Sequence, residues 1–126
     1  MINDVDKEKL LPEIIAVDFD GTLVSNKYPE IGEVNIRVWN AISRAKLRGA
    51  RLILWTSRTG KYLLDAVQFC EDRGLVFDAI NDNITEVKAL GWNARKVFAT
   101  VYVDDRTGFV DGFGDISQFD NKYLFG

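Results

Sequence analysis

The sequence predicts an α/β protein with three layers, a doubly wound parallel sheet between helices. Short apolar runs of strand length alternate along the chain with amphipathic stretches of helical length. The strand-like runs are apolar at nearly every position, which is typical of strands covered on both faces. A length of 126 residues suits one domain. We therefore divide the chain into a polar leader, residues 1–12, and a single domain, residues 13–126.

The first half of the domain is predicted to contain a strand over 13–20, a loop over 25–32, a helix over 33–48 and a strand over 52–55. The loop contains the turn-forming residues Asn26, Pro29 and Gly32. Apolar residues recur along the helix every three or four positions, and Gly49 is expected to end it.

The second half is predicted to contain a helix over 61–73, a weaker strand over 76–80, a short helix over 83–90 and a strand over 97–103. Gly74 and Gly91 follow the two helices as stop signals. From Gly108 onward the chain is rich in Gly and Asp with scattered aromatic residues, and its pattern assigns no element.

Two carboxylates follow the first strand. Asp18 and Asp20 are one residue apart, so both can project into the cleft above the sheet, where open α/β proteins bind ligands. One such Asp can act as a nucleophile while the other transfers a proton. Gly21 suits a sharp turn, and we expect Thr22 to fix it with a local hydrogen bond. A solvated acidic turn is the structural alternative.

A second acidic pair, Asp104 and Asp105, ends the last predicted strand. If the first and last strands are parallel neighbours, these carboxylates and those of Asp18 and Asp20 meet at one sheet edge. Their repulsion would require a cation or raised pKa values. The donors are all oxygens and the chain lacks His, so we predict Mg²⁺ and not zinc.

A polar segment also follows the strand over 52–55. Thr56 is placed to hydrogen-bond an anionic oxygen, and Arg58 is either a phosphate contact or a solvated side chain. We group Gly21, Thr22, Ser57 and Arg58 as candidate substrate contacts. The structural alternative is a helix cap, for which Thr59 would suffice.

One lysine is expected to balance the carboxylates and an incoming phosphate. Lys96 directly precedes the last strand and is the preferred candidate, while Lys88 on the short helix is the alternative. Most lysines are surface ammonium groups, and that is the structural alternative for both.

Composition excludes several classes of function. A net charge of -3 without a basic stripe argues against a dedicated nucleic-acid-binding surface. Cys70, the single cysteine, falls in a helical pattern and is predicted to be a buried thiol. No early apolar segment has the length of a signal peptide or membrane span, so we expect no membrane association and a cytoplasmic location.

The sequence Asp18-Phe19-Asp20-Gly21-Thr22-Leu23-Val24, then Thr56, then a lysine, then Val101 to Asp105 resembles the four motifs of the haloacid dehalogenase (HAD) superfamily in their usual order. It is similar to the small capless HAD-like hydrolases of bacteria and phages. The resemblance implies a Rossmann-like fold and a magnesium-dependent phosphohydrolase.

By this resemblance, Asp18 would attack phosphorus to form an aspartyl-phosphate, and Asp20 would act as general acid and base. Thr56 and Lys96 would hold the phosphoryl group. Mg²⁺ would be bound by Asp18, the Asp20 carbonyl and Asp104, with Asp105 assisting. The spacing of Thr56 and Arg58 resembles that of HAD phosphatases acting on sugar phosphates and polynucleotide ends, so the implied substrate is a phosphorylated small molecule or a polynucleotide end.

Neither position at which this superfamily inserts a cap has room for one, because the loop after Asp20 is short and the segment 56–96 is occupied by predicted elements. Substrate selection would then depend on the loop over 25–32, a neighbouring subunit or a bulky substrate. Trp39, Trp92 and the C-terminal Phe residues are candidates for a homo-oligomer interface, with core packing as the alternative. A phospho-acceptor domain, whose motif order would differ, and a catalytically idle binding module are the alternative functions.

Overall fold

The computed structural model describes residues 11–91, 97–104 and 108–111, the last stretch for its backbone alone. Within these residues the strands are β1 (Ile14–Val17), β2 (Arg51–Leu54), β3 (Ala79–Ile80), β4 (Val101–Asp104) and β5 (Gly108–Asp111). The helices are α1 (Ile36–Leu47), α2 (Gly60–Asp72) and α3 (Thr85–Ala89). The predicted alternation of strand and helix is confirmed up to β4.

The strands form one sheet in the order β3-β2-β1-β4-β5. β1 pairs in parallel with both β2 and β4, and β2 pairs in parallel with β3. β5, for which the sequence pattern assigned no element, pairs antiparallel with β4. The first and last predicted strands are therefore parallel neighbours, as the sequence analysis required for its acidic residues to meet.

Apolar side chains cover both faces of the sheet. Ile15 and Val17 of β1 belong to a cluster with the buried faces of α1 and α2, while Ile14 and Ala16 belong to a second cluster with Ile84 and α3. All four β1 residues are buried, which agrees with the uniformly apolar run in the sequence. The molecule is thus an α/β protein with helices on both faces of a largely parallel sheet.

Helix α1 begins later than predicted. Asn35 is its N-cap, and the Asn35 side chain accepts a hydrogen bond from the amide of Val38. Val34 pairs with Val24 in an isolated antiparallel bridge, and the Glu33 carbonyl accepts from the Ser25 amide. The predicted start at residue 33 is wrong because these residues pair with the chain that follows β1.

The first and last predicted strands are also shorter than expected. Before β4, the Phe98 amide donates to the Asn83 side chain, and the Thr100 hydroxyl bonds both the amide and the carbonyl of Ile14. Hydrogen bonds to side chains replace a regular ladder over residues 97–99, while the Thr100 amide donates to the Ile14 carbonyl.

Some predictions fall on residues outside the described part of the chain. These are most of the leader, Lys96, Asp105, Trp92 and the C-terminal Phe residues beyond 111. Among the described residues, no helix combines the length and the apolar character needed to cross a membrane.

Candidate active site

The carboxyl ends of β1, β2 and β4 meet at one edge of the sheet. Val17, the last residue of β1, is paired with Leu54 on one side and with Val103 on the other. The Asp18 amide donates to the Val103 carbonyl at 2.9 Å, so Asp18 lies beside Asp104. Since Thr56 follows β2 at the same edge, the backbone brings Asp18, Asp104 and Thr56 to one end of the sheet.

A cavity of about 580 Å³ opens at this edge. Its lining consists of Asp18, Asp20, Asn26, Tyr28 and Ser57. Three of these were predicted site residues. Asn26 and Tyr28 were not singled out from the sequence, although both lie in the loop that was expected to flank the site. The wall they form gives this loop a direct part in shaping the cavity.

The acidic motif is held by a tight backbone turn. The carbonyl of Phe19 accepts hydrogen bonds from the amides of Thr22, Leu23 and Val24. Gly21 has φ 84°, a left-handed conformation that favours glycine, so the predicted sharp turn is confirmed. Within the motif, the Phe19 amide donates to Oδ1 of Asp18 at 2.8 Å.

The expected role of Thr22 in fixing this turn is wrong. The Thr22 side chain is buried, and its Oγ1 has no hydrogen-bond partner among the described residues. The backbone hydrogen bonds to the Phe19 carbonyl fix the turn instead. The methyl group of a threonine can pack in a core, and its hydroxyl can form a hydrogen bond. The sequence pattern alone does not show which of these two roles a threonine has.

The loop over 25–32 is closed at its base. The Ser25 amide donates to the Glu33 carbonyl at 2.8 Å, and the Glu33 amide donates to Oγ of Ser25 at 2.9 Å. Gly32 lies so close that a Cβ atom there would be 2.1 Å from the Ser25 carbonyl oxygen. Only glycine permits this approach, which fixes the two ends of the loop against each other.

Arg58 forms a two-point ion pair with Asp20. Its Nε donates to Oδ2 and its Nη2 donates to Oδ1, both at 2.7 Å. The Arg58 side chain is 1% exposed and that of Asp20 is 16% exposed. A planar guanidinium facing a carboxylate in this way is among the stronger arrangements of charged side chains. The Asp20 hydrogen bond is the main reason that the pKa of Arg58 is raised above its ordinary value.

The remaining N–H groups of Arg58 bond backbone carbonyls. Nη2 donates to Glu30, and Nη1 donates to Pro29 and Tyr62. A guanidinium has five N–H donors, and all of them are used. The sequence left open a phosphate contact or a solvated side chain. In this geometry Arg58 is neither, since it is buried and has no donor left for a phosphate.

Aromatic rings enclose the same guanidinium. Its carbon lies 5.0 Å from the ring centroid of Phe19 and 5.1 Å from that of Tyr28, distances at which a cation is attracted to the ring face. Tyr28 also packs edge-on against Tyr62, with 5.6 Å between ring centroids. Tyr28 is 54% exposed. Its ring is therefore held by Arg58 and Tyr62 and is also accessible to solvent in the cavity wall.

Thr56 is held by a residue that the sequence analysis missed. Its amide donates to Oδ1 of Asn81 at 2.8 Å, and its Oγ1 accepts from the Arg58 amide at 3.1 Å. A hydroxyl that accepts one bond can still donate its own proton. Asn81 follows β3 at the same sheet edge and has φ 51°, a conformation that Asn tolerates better than most residues. Thr59 is the N-cap of α2, but its side chain makes no capping hydrogen bond.

The lysine remains a prediction. Lys88 forms an ion pair with Asp82, and both side chains are more than half exposed. This hydrogen bond is the main reason that the pKa of Asp82 is lowered. No lysine is among the described residues that line the cavity, while Lys96 lies outside the described part of the chain.

The described residues contain no group of three or more His, Cys, Asp or Glu side chains positioned to hold a metal ion. They do place the oxygen donors of Asp18 and Asp104 at neighbouring positions of the sheet edge. Mg²⁺ keeps several of its waters and is commonly bound through one or two carboxylates. Two carboxylates at this edge are compatible with that mode of binding, and Mg²⁺ stays a prediction, as does its fourth predicted ligand, Asp105, which lies outside the described residues.

A solved structure of another protein is similar to this chain over most of its length. The solved structure of a conserved protein coded by a locus from Bacteroides thetaiotaomicron matches 92% of this chain and 93% of its own, with 33% sequence identity and a TM-score of 0.70. The chain belongs to the same family as this Bacteroides protein. A match of this extent and TM-score shows that the two proteins share their fold.

No protein-family model matches the sequence. No curated protein matches it either. The similarity to the Bacteroides protein concerns the fold and assigns no reaction.

Proposed function

We propose that this protein is a Mg²⁺-dependent phosphohydrolase that cleaves phosphoric monoesters through an aspartyl-phosphate on Asp18. The observation that carries the proposal is the meeting of Asp18, Asp20 and Ser57 around one cavity, with Thr56 and Asp104 at the same sheet edge. A nucleophile, a second carboxylate, hydroxyl donors and a pair of metal-ligand carboxylates are the parts that this reaction requires.

In the first step, a carboxylate oxygen of Asp18 attacks phosphorus, and the bond between phosphorus and the ester oxygen breaks. The leaving oxygen takes a proton from Asp20. In the second step, water attacks the phosphorus of the aspartyl-phosphate and gives a proton to Asp20. The bond between phosphorus and Asp18 then breaks, and inorganic phosphate and the free carboxylate are restored.

Thr56 supports this chemistry through its position. The Asn81 side chain and the Arg58 amide fix the start of the segment that follows β2. We propose that the Thr56 hydroxyl, held by these bonds, donates to a phosphoryl oxygen. Lys96 is the residue that we propose to offset the phosphoryl charge.

Bound Mg²⁺ would neutralise phosphoryl charge and reduce the repulsion between the acidic residues at this edge. We propose Asp18, the Asp20 carbonyl and Asp104 as its ligands, with Asp105 assisting. The hard oxygen donors at this edge support this choice.

At the level of fold, we propose a doubly wound, HAD-like domain without a cap. The helices on both faces of the sheet and the position of the site at the carboxyl ends of its central strands support this proposal. Without a cap, the loop that carries Asn26 and Tyr28 would take over part of the substrate contact. Phosphorylated small molecules and polynucleotide ends are the substrate classes that we propose to test first.

The test is hydrolysis of 4-nitrophenyl phosphate and of a panel of phosphorylated metabolites, nucleotides and polynucleotide ends, with and without Mg²⁺. We expect turnover that chelation abolishes and that Asp18→Asn removes. Asp72→Asn is the matched control, because Asp72 is an exposed carboxylate at the far end of α2. Full activity in Asp18→Asn would exclude the proposed nucleophile.

A further inference from the structure

We propose that Arg58 is a positioning residue, which holds Asp20 and the cavity loop, residues 26–31, in one arrangement and acts on the reaction through Asp20. This inference rests on the proposed function, because it assigns Asp20 the proton transfers. It changes the role of Arg58 from a substrate contact to a support for the acid and base.

The first argument is the geometry of the ion pair. Two parallel hydrogen bonds of 2.7 Å fix both the place and the rotation of the Asp20 carboxylate. A single bond would leave the carboxylate free to turn. Arg58 is itself fixed, since its three other bonds go to backbone carbonyls and the rings of Phe19 and Tyr28 lie against it.

The second argument is that the same guanidinium holds the cavity wall. The carbonyls of Pro29 and Glu30 accept from Arg58, and they directly follow Tyr28 in the loop. Tyr28 and Asp20 line one cavity. A displacement of Arg58 would therefore move the wall and the proposed acid and base together.

The ion pair also sets a condition for proton transfer. Both Asp20 oxygens accept hydrogen bonds from Arg58, whereas a protonated carboxyl carries a donor on one oxygen. Asp20 therefore has to hold the proton that it delivers on a lone pair that Arg58 does not occupy. The two bonds to Arg58, which the loop carbonyls fix in turn, keep Asp20 in place during that step, and this is the function we assign to the fork shape of arginine.

The substitutions that test the proposal are Arg58→Met, which removes the charge, and Arg58→Lys, which keeps the charge and loses the fork. Arg51→Met is the matched control. Arg51 lies on β2 and also contacts two carboxylates, Asp78 and Glu86, but it does not line the cavity. We expect Arg51→Met to retain the activity of the unsubstituted protein.

The readout is the hydrolysis of two substrates that differ in their need for an acid. An alkyl phosphate needs its leaving oxygen to be protonated, while 4-nitrophenolate leaves without help. We expect both Arg58 variants to reduce kcat by about 100-fold on the alkyl phosphate and by less than about tenfold on 4-nitrophenyl phosphate, in the range of general acid catalysis. An equal loss on both substrates would overturn the assignment, since a purely structural role would produce it.

A second comparison asks whether Arg58 acts through Asp20. In an Asp20→Asn background, the added Arg58→Lys change should lower kcat by less than about twofold, because residues that act as a unit are non-additive. Full additivity would contradict the proposal. If Arg58→Met does not fold, Arg58→Lys and this comparison still decide the question.

Hydrogen exchange separates this inference from the proposed function. We expect the amides of residues 26–31 to exchange about tenfold faster in Arg58→Met than in Arg51→Met, while those of β1 stay protected. A protein inert toward every phosphomonoester would reject the proposed function and the action of Arg58 on the reaction through Asp20. Unchanged exchange would reject the proposal that Arg58 holds the loop.

Discussion

Asp20 and Arg58 are separated by 38 positions in the chain, and two hydrogen bonds of 2.7 Å join their side chains. The pair connects the turn after β1 with the segment after β2. Arg58 also donates to the backbone carbonyls of Pro29 and Glu30, so the cavity loop is connected to both. The stability of the site and its proposed chemistry therefore depend on the same guanidinium.

Removal of one partner of this pair should destabilise the protein. Arg58→Met leaves the largely buried Asp20 carboxylate without its cation and leaves loop carbonyls without donors, so we expect the free energy of unfolding to fall by about 3 kcal/mol. Urea denaturation measures this change. The double variant Asp20→Asn/Arg58→Met should lose less than the sum of the single variants, and strict additivity would contradict an energetic coupling between the two residues.

Gly32→Ala should open the base of the cavity loop. The added methyl group would lie 2.1 Å from the Ser25 carbonyl oxygen, and this backbone atom cannot move aside as a side chain would. We expect a loss of about 1–3 kcal/mol in the free energy of unfolding, as for other overpacked sites, together with a changed KM.

The control for that substitution is Gly49→Ala. A methyl group at Gly49 would meet no atom within 4 Å, and only its positive φ of 98° is unfavourable. It should lower stability by about 1–2 kcal/mol with KM unchanged. A normal KM in Gly32→Ala would show that the base of the loop does not control substrate binding.

Much of this fold is contained in the local sequence pattern. The uniformly apolar run before Asp18 identified a buried strand, and Gly21 identified the turn after it, because both depend on residues adjacent in the chain. The convergence of Asp18 with Asp104 was also predictable, since parallel neighbours bring their carboxyl ends to one edge.

The contacts within the site were less predictable. The partner of Arg58 lies 38 positions away and that of the Thr56 amide 25 positions away, and no periodicity connects such residues. The sequence pattern did not predict β5, because the composition of this segment is typical of a loop. It forms a strand through its pairing with β4. Tertiary pairing decided these features.

Asn81 provides a test of how Thr56 is held. Asn81→Gly keeps the positive φ of 51° accessible but removes the acceptor for the Thr56 amide, whereas Asn81→Ala also strains the backbone. We expect both variants to reduce kcat on 4-nitrophenyl phosphate, and only Asn81→Ala to lower stability by about 1 kcal/mol more than Asn81→Gly. An unchanged kcat in both variants would show that the way in which Thr56 is held does not affect the reaction.

Mg²⁺ should stabilise the folded protein if the acidic edge binds it. At a concentration of about 100 times its Kd, a ligand that binds only the folded state adds ~2.7 kcal/mol to the free energy of unfolding. We expect thermal denaturation to show this gain for the unsubstituted protein and not for Asp104→Asn. The Asp72→Asn variant serves as the control for charge, and an equal shift in all three proteins would indicate binding elsewhere.

Cys70 should make stability fall in alkaline solution. The side chain is fully buried and free, as its place on the apolar face of α2 predicted, and burial raises its pKa to about 12 from an ordinary value of 9.0. Because the thiolate forms more readily in the unfolded chain, the contribution of Cys70 to the free energy of unfolding should be constant below pH 9.0 and should decrease as the pH rises toward about 12. Urea denaturation in this range should show a smaller decrease for Cys70→Ala, after allowance for the cavity that this substitution creates.

At pH 8 an aromatic disulfide should label Cys70 slowly in the folded protein and rapidly in denaturant, and rapid labelling of the folded protein would contradict its burial.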